Sequence, residues 1–411
     1  MTHIEKIGTA TLYLGDCRDT LASLPENSAD SIVADAPYEL DFMGRAWDRT
    51  GIAFEVAMWK AALRVLKPGG YLLAFSHART YHRMTCAIED AGFEIRDQIM
   101  WIYGSGFPKS RNLQGDREGW GTALKPAHEP IVMARKPLIG TVSRNVESHG
   151  TGAINIAGCR VPTDEVLRAG AGAMPVRHDP EVPRGKPGAR YSAEQRGSLD
   201  EFKRLPQNVG TNPAGRWPAN VVHDGSDEVV SAFPVAPGQQ GDLKQQGHAV
   251  PQGNAFGQFG PKGPHAARKD SGTAARFFYC AKASKADRDS GMDAFEPKAF
   301  VAFQTANGTS GKASSISEGR DTQYRNTHPT VKPTDLMRWL VRLVTPPGGV
   351  VLDPFMGSGS TGRAAMLEGF EFIGCELTAE YLPIAAARIK AAQDEAEQAS
   401  RQGNLFIGSA A

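Results

Sequence analysis

Short apolar runs alternate with segments of helical period at both ends of this chain, and the middle carries neither pattern. Near the N-terminus, Ser31–Ala34 reads as a buried strand. Phe54–Leu66 sets Phe54, Val56, Met58, Ala61, Ala62 and Val65 at helical spacing and stops at Lys67-Pro68-Gly69-Gly70, which predicts a turn. Tyr71–Phe75 is a second strand, Arg79–Ala91 a helix ended by Gly92, Ile95–Trp101 a third strand and Ile131–Ala134 a fourth. The rhythm returns near the C-terminus. Asp335–Val344 is a helix, Val350–Leu352 a strand, Thr361–Glu368 a helix, Phe372–Glu376 a strand and Ala379–Lys390 a last helix, before a polar tail expected to fray. Strands alternating with helices predict an α/β sheet.

The middle is dense in Gly, Pro, Ser, Asn and Gln, and the stretch from Pro237 to Gly263 has almost no apolar periodicity. Such a segment cannot bury enough surface to fold alone and is expected to order on a partner. Two islands, Gly215–Val222 and Ala275–Cys280, read as short strands. The chain therefore divides into residues 1–135, 136–326, 327–395 and a tail, 396–411.

Net charge is only +1 over 411 residues, but its distribution is uneven. Residues 101–330 hold 29 Lys+Arg against 22 Asp+Glu, which leaves 17 against 23 elsewhere from the totals of 46 and 45. The positive excess sits where a polyanion would be held, although solvated loops with spare arginines would give the same count. The five cysteines, Cys17, Cys86, Cys159, Cys280 and Cys375, form no CxxC pair and are odd in number. A zinc site or disulfide framework is not expected, and a reducing cytoplasm fits. No apolar run reaches a membrane span and no signal-peptide pattern opens the chain, so no membrane partner is expected.

Two motifs carry the chemistry. Late in the chain, Gly348-Gly349 turns into Val350–Leu352, and Asp353-Pro354-Phe355-Met356-Gly357-Ser358-Gly359-Ser360-Thr361 leads into the next helix. Open α/β sheets bind ligands at the carboxyl ends of strands, where glycines allow close backbone approach. The following strand ends at Glu376, and a carboxylate there can accept both hydroxyls of a ribose. Taken alone, the glycines could be a tight turn and Glu376 a solvated strand end. Early in the chain, Asp35-Ala36-Pro37-Tyr38 follows the first strand. Exocyclic amines of nucleobases are poor nucleophiles, because the nitrogen lone pair is delocalised into the ring. Two acceptors aimed at the amine hydrogens, here the Asp35 carboxylate and the Ala36 carbonyl, would draw the nitrogen toward tetrahedral geometry. Tyr38 offers a face on which an extruded base could stack. Direct transfer needs no covalent enzyme intermediate and hence no cysteine nucleophile. On its own the tetrapeptide could equally be a strand-ending turn.

The order of the motifs, amine site before cofactor site with a long insert between, resembles the permuted (beta-class) amino-methyltransferases of DNA. The run Asn326-Thr327-His328-Pro329-Thr330-Val331-Lys332-Pro333, a helix, and then Leu352 to Thr361 is similar to the linked cofactor motifs of that family. Lys67-Pro68-Gly69-Gly70 to Phe75 and Asp97–Trp101 also look like its scaffold. The resemblance implies a Rossmann-like methyltransferase sheet with helices on both faces, a circularly permuted motif order and a loop-rich inserted target-recognition region. It implies S-adenosylmethionine as cofactor. Asp353, Phe355, Gly357, Ser358, Gly359, Ser360 and Thr361 would line its methionine end, Glu376 would hold the ribose, and Lys332 would pack the other wall. Leu14-Gly15-Asp16-Cys17 resembles the family's early motif, in which Asp16, with Cys17 beside it, approaches the adenine amine. Asp35, Ala36, Pro37 and Tyr38 would be catalytic, with Asp35 also facing the cofactor. The family pattern there is Asp-Pro-Pro-Tyr. Ala36 keeps the useful backbone carbonyl but loses the ring that fixes the backbone angle.

The implied reaction is methylation of adenine N6 in a flipped base of double-stranded DNA, since cytosine-N4 enzymes of the family more often place Ser where Asp35 stands. Cytosine N4 is the alternative, followed by an RNA or protein substrate and by a cofactor-binding DNA module without turnover. A homodimer and a separate restriction endonuclease are open as partners. Asp41-Phe42-Met43-Gly44-Arg45-Ala46-Trp47-Asp48 reads either as a lid over substrate or as ordinary packing. Sequence choice would fall to the insert, where Arg144, Asn145, Arg160, Arg184, Arg190, Arg216 and Asn220 follow Arg111 and Asn112 as base or phosphate contacts. Arg216-Trp217-Pro218 reads more as the seed of a small core.

Overall fold

The computed structural model describes residues 3–41, 46–106, 110–163, 215–236, 271–281, 285–299 and 323–408. The chain divides into two compact units. One comprises Met1–Cys159, Asn220–Val229 and Cys280–Ala411, and the other Arg160–Ala219 and Val230–Tyr279.

The first unit is built on a mixed sheet. Its strands in chain order are β1 (His3–Ile7), β2 (Ala10–Leu14), β3 (Ala29–Ala34), β4 (Leu66–Phe75), β5 (Glu94–Ile102), β6 (His128–Arg135), β7 (Val221–His223), β8 (Val350–Asp353) and β9 (Glu371–Glu376). In space they run β1-β2-β9-β8-β3-β4-β6-β5-β7. Strands β2, β9, β8, β3 and β4 are mutually parallel, so their carboxyl ends share one edge. β6 is antiparallel to β4 and β5, which brings its first residues to that same edge. β8, nearly last in sequence, sits between β9 and β3 near the middle of the sheet.

All six residues of β3 are buried, as a strand covered on both faces requires. Helices α1 (Cys17–Ser23), α2 (Val56–Val65) and α3 (Tyr81–Asp90) pack Leu21, Met58, Trp59, Ala62, Val65, Met84 and Ile88 into one core with Ile32, Leu72 and Leu352. After β6, α4 (Val142–His149) packs against β4. Helices α5 (Thr334–Val344), α6 (Ser360–Leu367) and α7 (Leu382–Gly408) pack in succession, α6 also lying on β8 and β9.

The differences from the sequence reading have local causes. The turn expected at Lys67-Pro68-Gly69-Gly70 is a bulge inside β4: Ala29 pairs with Leu66, but Ser31 pairs with Tyr71. Gly69 takes φ +77 there, and Asp30 grips Lys67 at 2.6 Å. The last helix does not stop at Lys390. Ala-, Glu- and Gln-rich residues carry it onward, with ion pairs Lys390–Asp394 (3.2 Å) and Glu397–Arg401 (3.5 Å) one turn apart. The hairpin β1–β2 and helix α1 have no counterpart in the expectation, because the pattern of β1 is mostly exposed. No described helix is long and apolar enough to cross a membrane.

The second unit holds a small core. Val161 and Arg216 exchange backbone hydrogen bonds at 3.0 and 2.8 Å, and the Arg216 guanidinium lies 4.8 Å from the Phe277 ring. The two predicted strands are shorter than expected. Gly215–Asn220 makes only that one bridge before β7, and Ala274–Phe277 is a 3-10 turn followed by the two-residue strand Tyr279–Cys280. Pro218 has no N–H to give a ladder. Arg184, Arg190 and the stretch 237–263 fall outside the described residues.

Candidate active site

The shared edge of the parallel strands opens into a cavity of about 1310 Å³. Asp35 follows β3, Asp353 ends β8, Glu376 ends β9 and Asp16 follows β2; all four line it, as carboxyl-end loops of an open sheet do. Cys17, Ala36, Pro37, Tyr38, Lys332, Phe355, Gly357, Ser358, Ser360 and Thr361 line it too. Residues more than 300 positions apart in sequence therefore face one space. Gly359 is the exception. It caps α6 at φ +75, and an added Cβ would lie 3.0 Å from Ala385, so this glycine serves the close approach of α6 to α7.

At the amine end, Asp35 Oδ2 accepts from Lys332 Nζ at 2.8 Å, a contact spanning 297 residues of chain. Lys332 Nζ is also 3.4 Å from Glu129 Oε2, and Glu129 accepts the Tyr38 hydroxyl at 2.8 Å. The Lys332 side chain is 7% exposed, against 21% for Asp35 and 16% for Glu129. The ammonium thus lies on Asp35 and Glu129, in the same cavity as the glycine loop after β8. Burial pushes the Asp35 carboxyl up, Lys332 opposes that, and Glu129 adds to it. Burial also works against the Lys332 charge, but Asp35 and Glu129 together hold the ammonium above its usual range. Burial and the two carboxylates keep the Tyr38 hydroxyl protonated. Asp35 Oδ1 is buried and has no hydrogen-bond partner among the described residues. Leaving such an acceptor unmet costs ~1–3 kcal/mol unless a ligand brings a donor.

The cofactor end is organised differently. Glu376 Oε2 accepts from Gly357 N at 2.8 Å, and Oε1 accepts from Thr378 N at 2.7 Å. Asp353 Oδ1 accepts from Phe355 N at 3.0 Å. Burial lifts both carboxyls to about 7. Gly357 adopts φ +54, and a Cβ there would come within 2.9 Å of His328 Nε2. Burial lowers His328 to about 3, so its ring is neutral; it stacks near Trp47 and meets Tyr381 edge-on at 4.5 Å. Arg388, fully buried on α7, donates to the Ser358 carbonyl at 2.7 Å and to the hydroxyls of Ser358 and Ser360 at 3.1 Å. A backbone loop opening a helix, flanked by carboxylates on adjacent strands, fits a nucleoside that carries a charged tail. Asp16 caps α1 through Arg18 N (2.8 Å) and pairs with the Arg18 guanidinium, which also reaches Glu55 at 3.2 Å. Burial raises the Cys17 thiol to about 12, which suits packing rather than nucleophilic attack.

Sequence reasoning missed Glu129 and Arg388; Trp47, from the segment expected as lid or packing, lines the cavity. Glu129 opens an apolar strand directly after His128, and a carboxylate heading a buried run calls for a cation; that was the available signal. Of the lid segment, 42–45 fall outside the described residues, and Asp48 is buried beneath the Glu39 and Leu40 amides. Asn145, offered as a base contact, is fully buried and bonds the Pro68 and Thr151 carbonyls, so it braces the β4 bulge.

A 70-residue stretch is 41% identical to the DNA adenine methyltransferase YhdJ of Escherichia coli (strain K12), over 17% of this chain and 24% of that protein. YubD of the same strain is 39% identical over 84 residues, 20% of this chain and 37% of that one. The chain thus matches well under half the length of these curated relatives. Among solved structures, the cytosine-N4-specific PvuII DNA methyltransferase is 14% identical, with 94% and 90% of the chains covered and a TM-score of 0.43. The M1.HpyAVI–SAM complex is also 14% identical, covering 92% and 99%, with a TM-score of 0.37. The family model for DNA methylases of the N6/N4 type matches residues 29–387. With both motifs and most of the cavity lining inside that span, the chain belongs to the N6/N4 DNA methylase family.

Proposed function

We propose that this chain methylates the N6 amine of an adenine turned out of double-stranded DNA, with S-adenosylmethionine as donor and with the permuted motif order of the beta class. One observation carries the reading: a buried carboxylate oxygen, Asp35 Oδ1, has no donor among the described residues and lies in the same cavity as the glycine loop after β8. An exocyclic amine supplies the missing N–H. Asp35 Oδ1 and the Ala36 carbonyl together hold the two amine hydrogens and free the nitrogen lone pair for attack. Tyr38, its hydroxyl fixed on Glu129, is the surface on which the everted base stacks. S-adenosylmethionine, when bound, supplies an electrophilic methyl group. Phe355, Gly357, Ser358, Ser360 and Thr361 hold its methionine end, Glu376 the ribose, and Asp16 with Cys17 the adenine. Asp353 fixes the loop through Phe355 N.

Adenine is favoured over cytosine by Asp35 at the first catalytic position and by the local identity to an adenine methyltransferase. The purified protein, given labelled donor with DNA, RNA and protein substrates, should label DNA alone and yield N6-methyladenine. Label in N4-methylcytosine, or only in RNA or protein, overturns the assignment.

A further inference from the structure

We propose that Glu129 is a positioning residue of the amine site: it shares the Lys332 ammonium with Asp35 and anchors Tyr38, and so keeps Asp35 a competent proton acceptor. The inference rests on the amine-methylation reading above. β6 runs against its neighbours, so Glu129 enters at its start, at the edge where the parallel strands end.

The reaction defines the need. The amine lone pair forms the new N–C bond, the S–C pair leaves with the thioether sulfur, and the nitrogen is left with one hydrogen too many. That proton passes to Asp35 Oδ1. A carboxylate in a private buried ion pair with an ammonium is a weak base, because the cation stabilises its ionised form. Here two carboxylates compete for one ammonium: Lys332 Nζ is 2.8 Å from Asp35 and 3.4 Å from Glu129. With both carboxylates ionised, the group carries one formal negative charge and has room for one proton. The hold on Asp35 is divided, and Glu129 repels a second negative charge beside it.

Among the described residues, no other cation forms an ion pair with Asp35 or Glu129. Tyr38 reaches Glu129 as a neutral donor and also favours the ionised form of Asp35, and its ring and that of Phe75 lie 5.3 and 5.0 Å from Lys332 Nζ. Tyr103, beyond β5, is held protonated by burial and by Glu129. Asp353 from β8 adds negative charge, and His77 lies against Tyr38 with ring centroids 6.3 Å apart. An ordinary packing role would need neither the second carboxylate on Lys332 nor the empty Oδ1.

The test is the single-turnover rate of DNA methylation against pH, in the full chain with saturating donor. Glu129→Gln keeps the size and an acceptor for Tyr38 while removing the charge. The expected result is a plateau about tenfold lower and an acidic limb moved down by about one pH unit, because Asp35 becomes the weaker base. Glu129→Asp keeps the charge and should lie between the two; it serves alone if the Gln variant does not fold. Tyr38→Phe should lower the rate on the wild-type limb. A Gln variant slowed with its limb unmoved makes Glu129 a packing residue only. A limb moved upward, or a wild-type rate, also overturns the proposal. Turnover of the unaltered chain on DNA tests the underlying reading separately.

Discussion

The two ends of the cavity handle buried carboxylates in opposite ways. At the amine end, Asp35 is charge-paired with Lys332 through one oxygen, and the other oxygen has no partner among the described residues. At the cofactor end, Glu376 and Asp353 form no ion pair among the described residues and rest on backbone N–H groups. The difference teaches what each end is for. On the proposed function, the acceptor held in reserve beside a cation receives a reacting hydrogen. Carboxylates held by backbone amides and by the Thr361 and Thr378 hydroxyls are fixed in place, yet burial lifts them to about 7, so their ionisation is available to a ligand.

The harshest way to break this contrast is Asp35→Ala. It should lower methyl transfer by about 10³-fold or more while leaving donor affinity within about threefold, if the acceptor acts on the transition state. Isothermal titration beside a transfer assay reads both; equal loss of the two would merge the ends into one function. Gly359→Val comes next and should strike the opposite end. Its φ of +75 and the 3.0 Å approach to Ala385 set a strain of ~1–2 kcal/mol or more, with donor affinity down about tenfold. Normal donor binding by that variant would remove the loop from the cofactor site.

A pH series sharpens the comparison further. If ribose hydroxyls donate to Glu376, they favour its ionised form, so donor affinity should rise as pH climbs through about 7, and Glu376→Gln should flatten that rise. Stability of the free protein should go the other way. Both carboxyls are raised above their unfolded values near 4, so their stabilising contribution is full below that and is lost as pH rises through about 7. Thermal melts of Asp353→Asn should therefore show a shallower decline between pH 5 and pH 8 than the unaltered chain. The smallest effect expected is that of Tyr38→Phe. It keeps the ring and loses one hydrogen bond to Glu129, for a rate loss of about two- to fivefold. A loss as large as that of Asp35→Ala would make the hydroxyl, rather than the ring, the working part of Tyr38.

What was legible in the sequence follows from how local the signal is. The apolar stretches of β3, β8 and β9 each lead into a carboxylate, Asp35 just after β3, Asp353 ending β8 and Glu376 ending β9, and the glycine string after β8 is contiguous, so strand and loop could be read together. Asp35 could be read because its partners in the tetrapeptide are adjacent. The contact of Lys332 with Asp35 was not legible, because it closes a separation of 297 residues that no window spans. Glu129 needed the antiparallel direction of β6, and Arg388 needed the packing of α7 on the serine loop. Asn145 looked like a base reader because an asparagine beside an arginine has no sequence mark of burial.

The most direct measurement is expression of the chain in a methylation-free host, followed by single-molecule mapping of modified bases, with the Asp35→Ala variant in parallel. The account predicts N6-methyladenine confined to one sequence context and absent with the variant. Modification only at cytosine N4, no modification from a soluble chain that binds donor, or undiminished adenine methylation by the variant would contradict it.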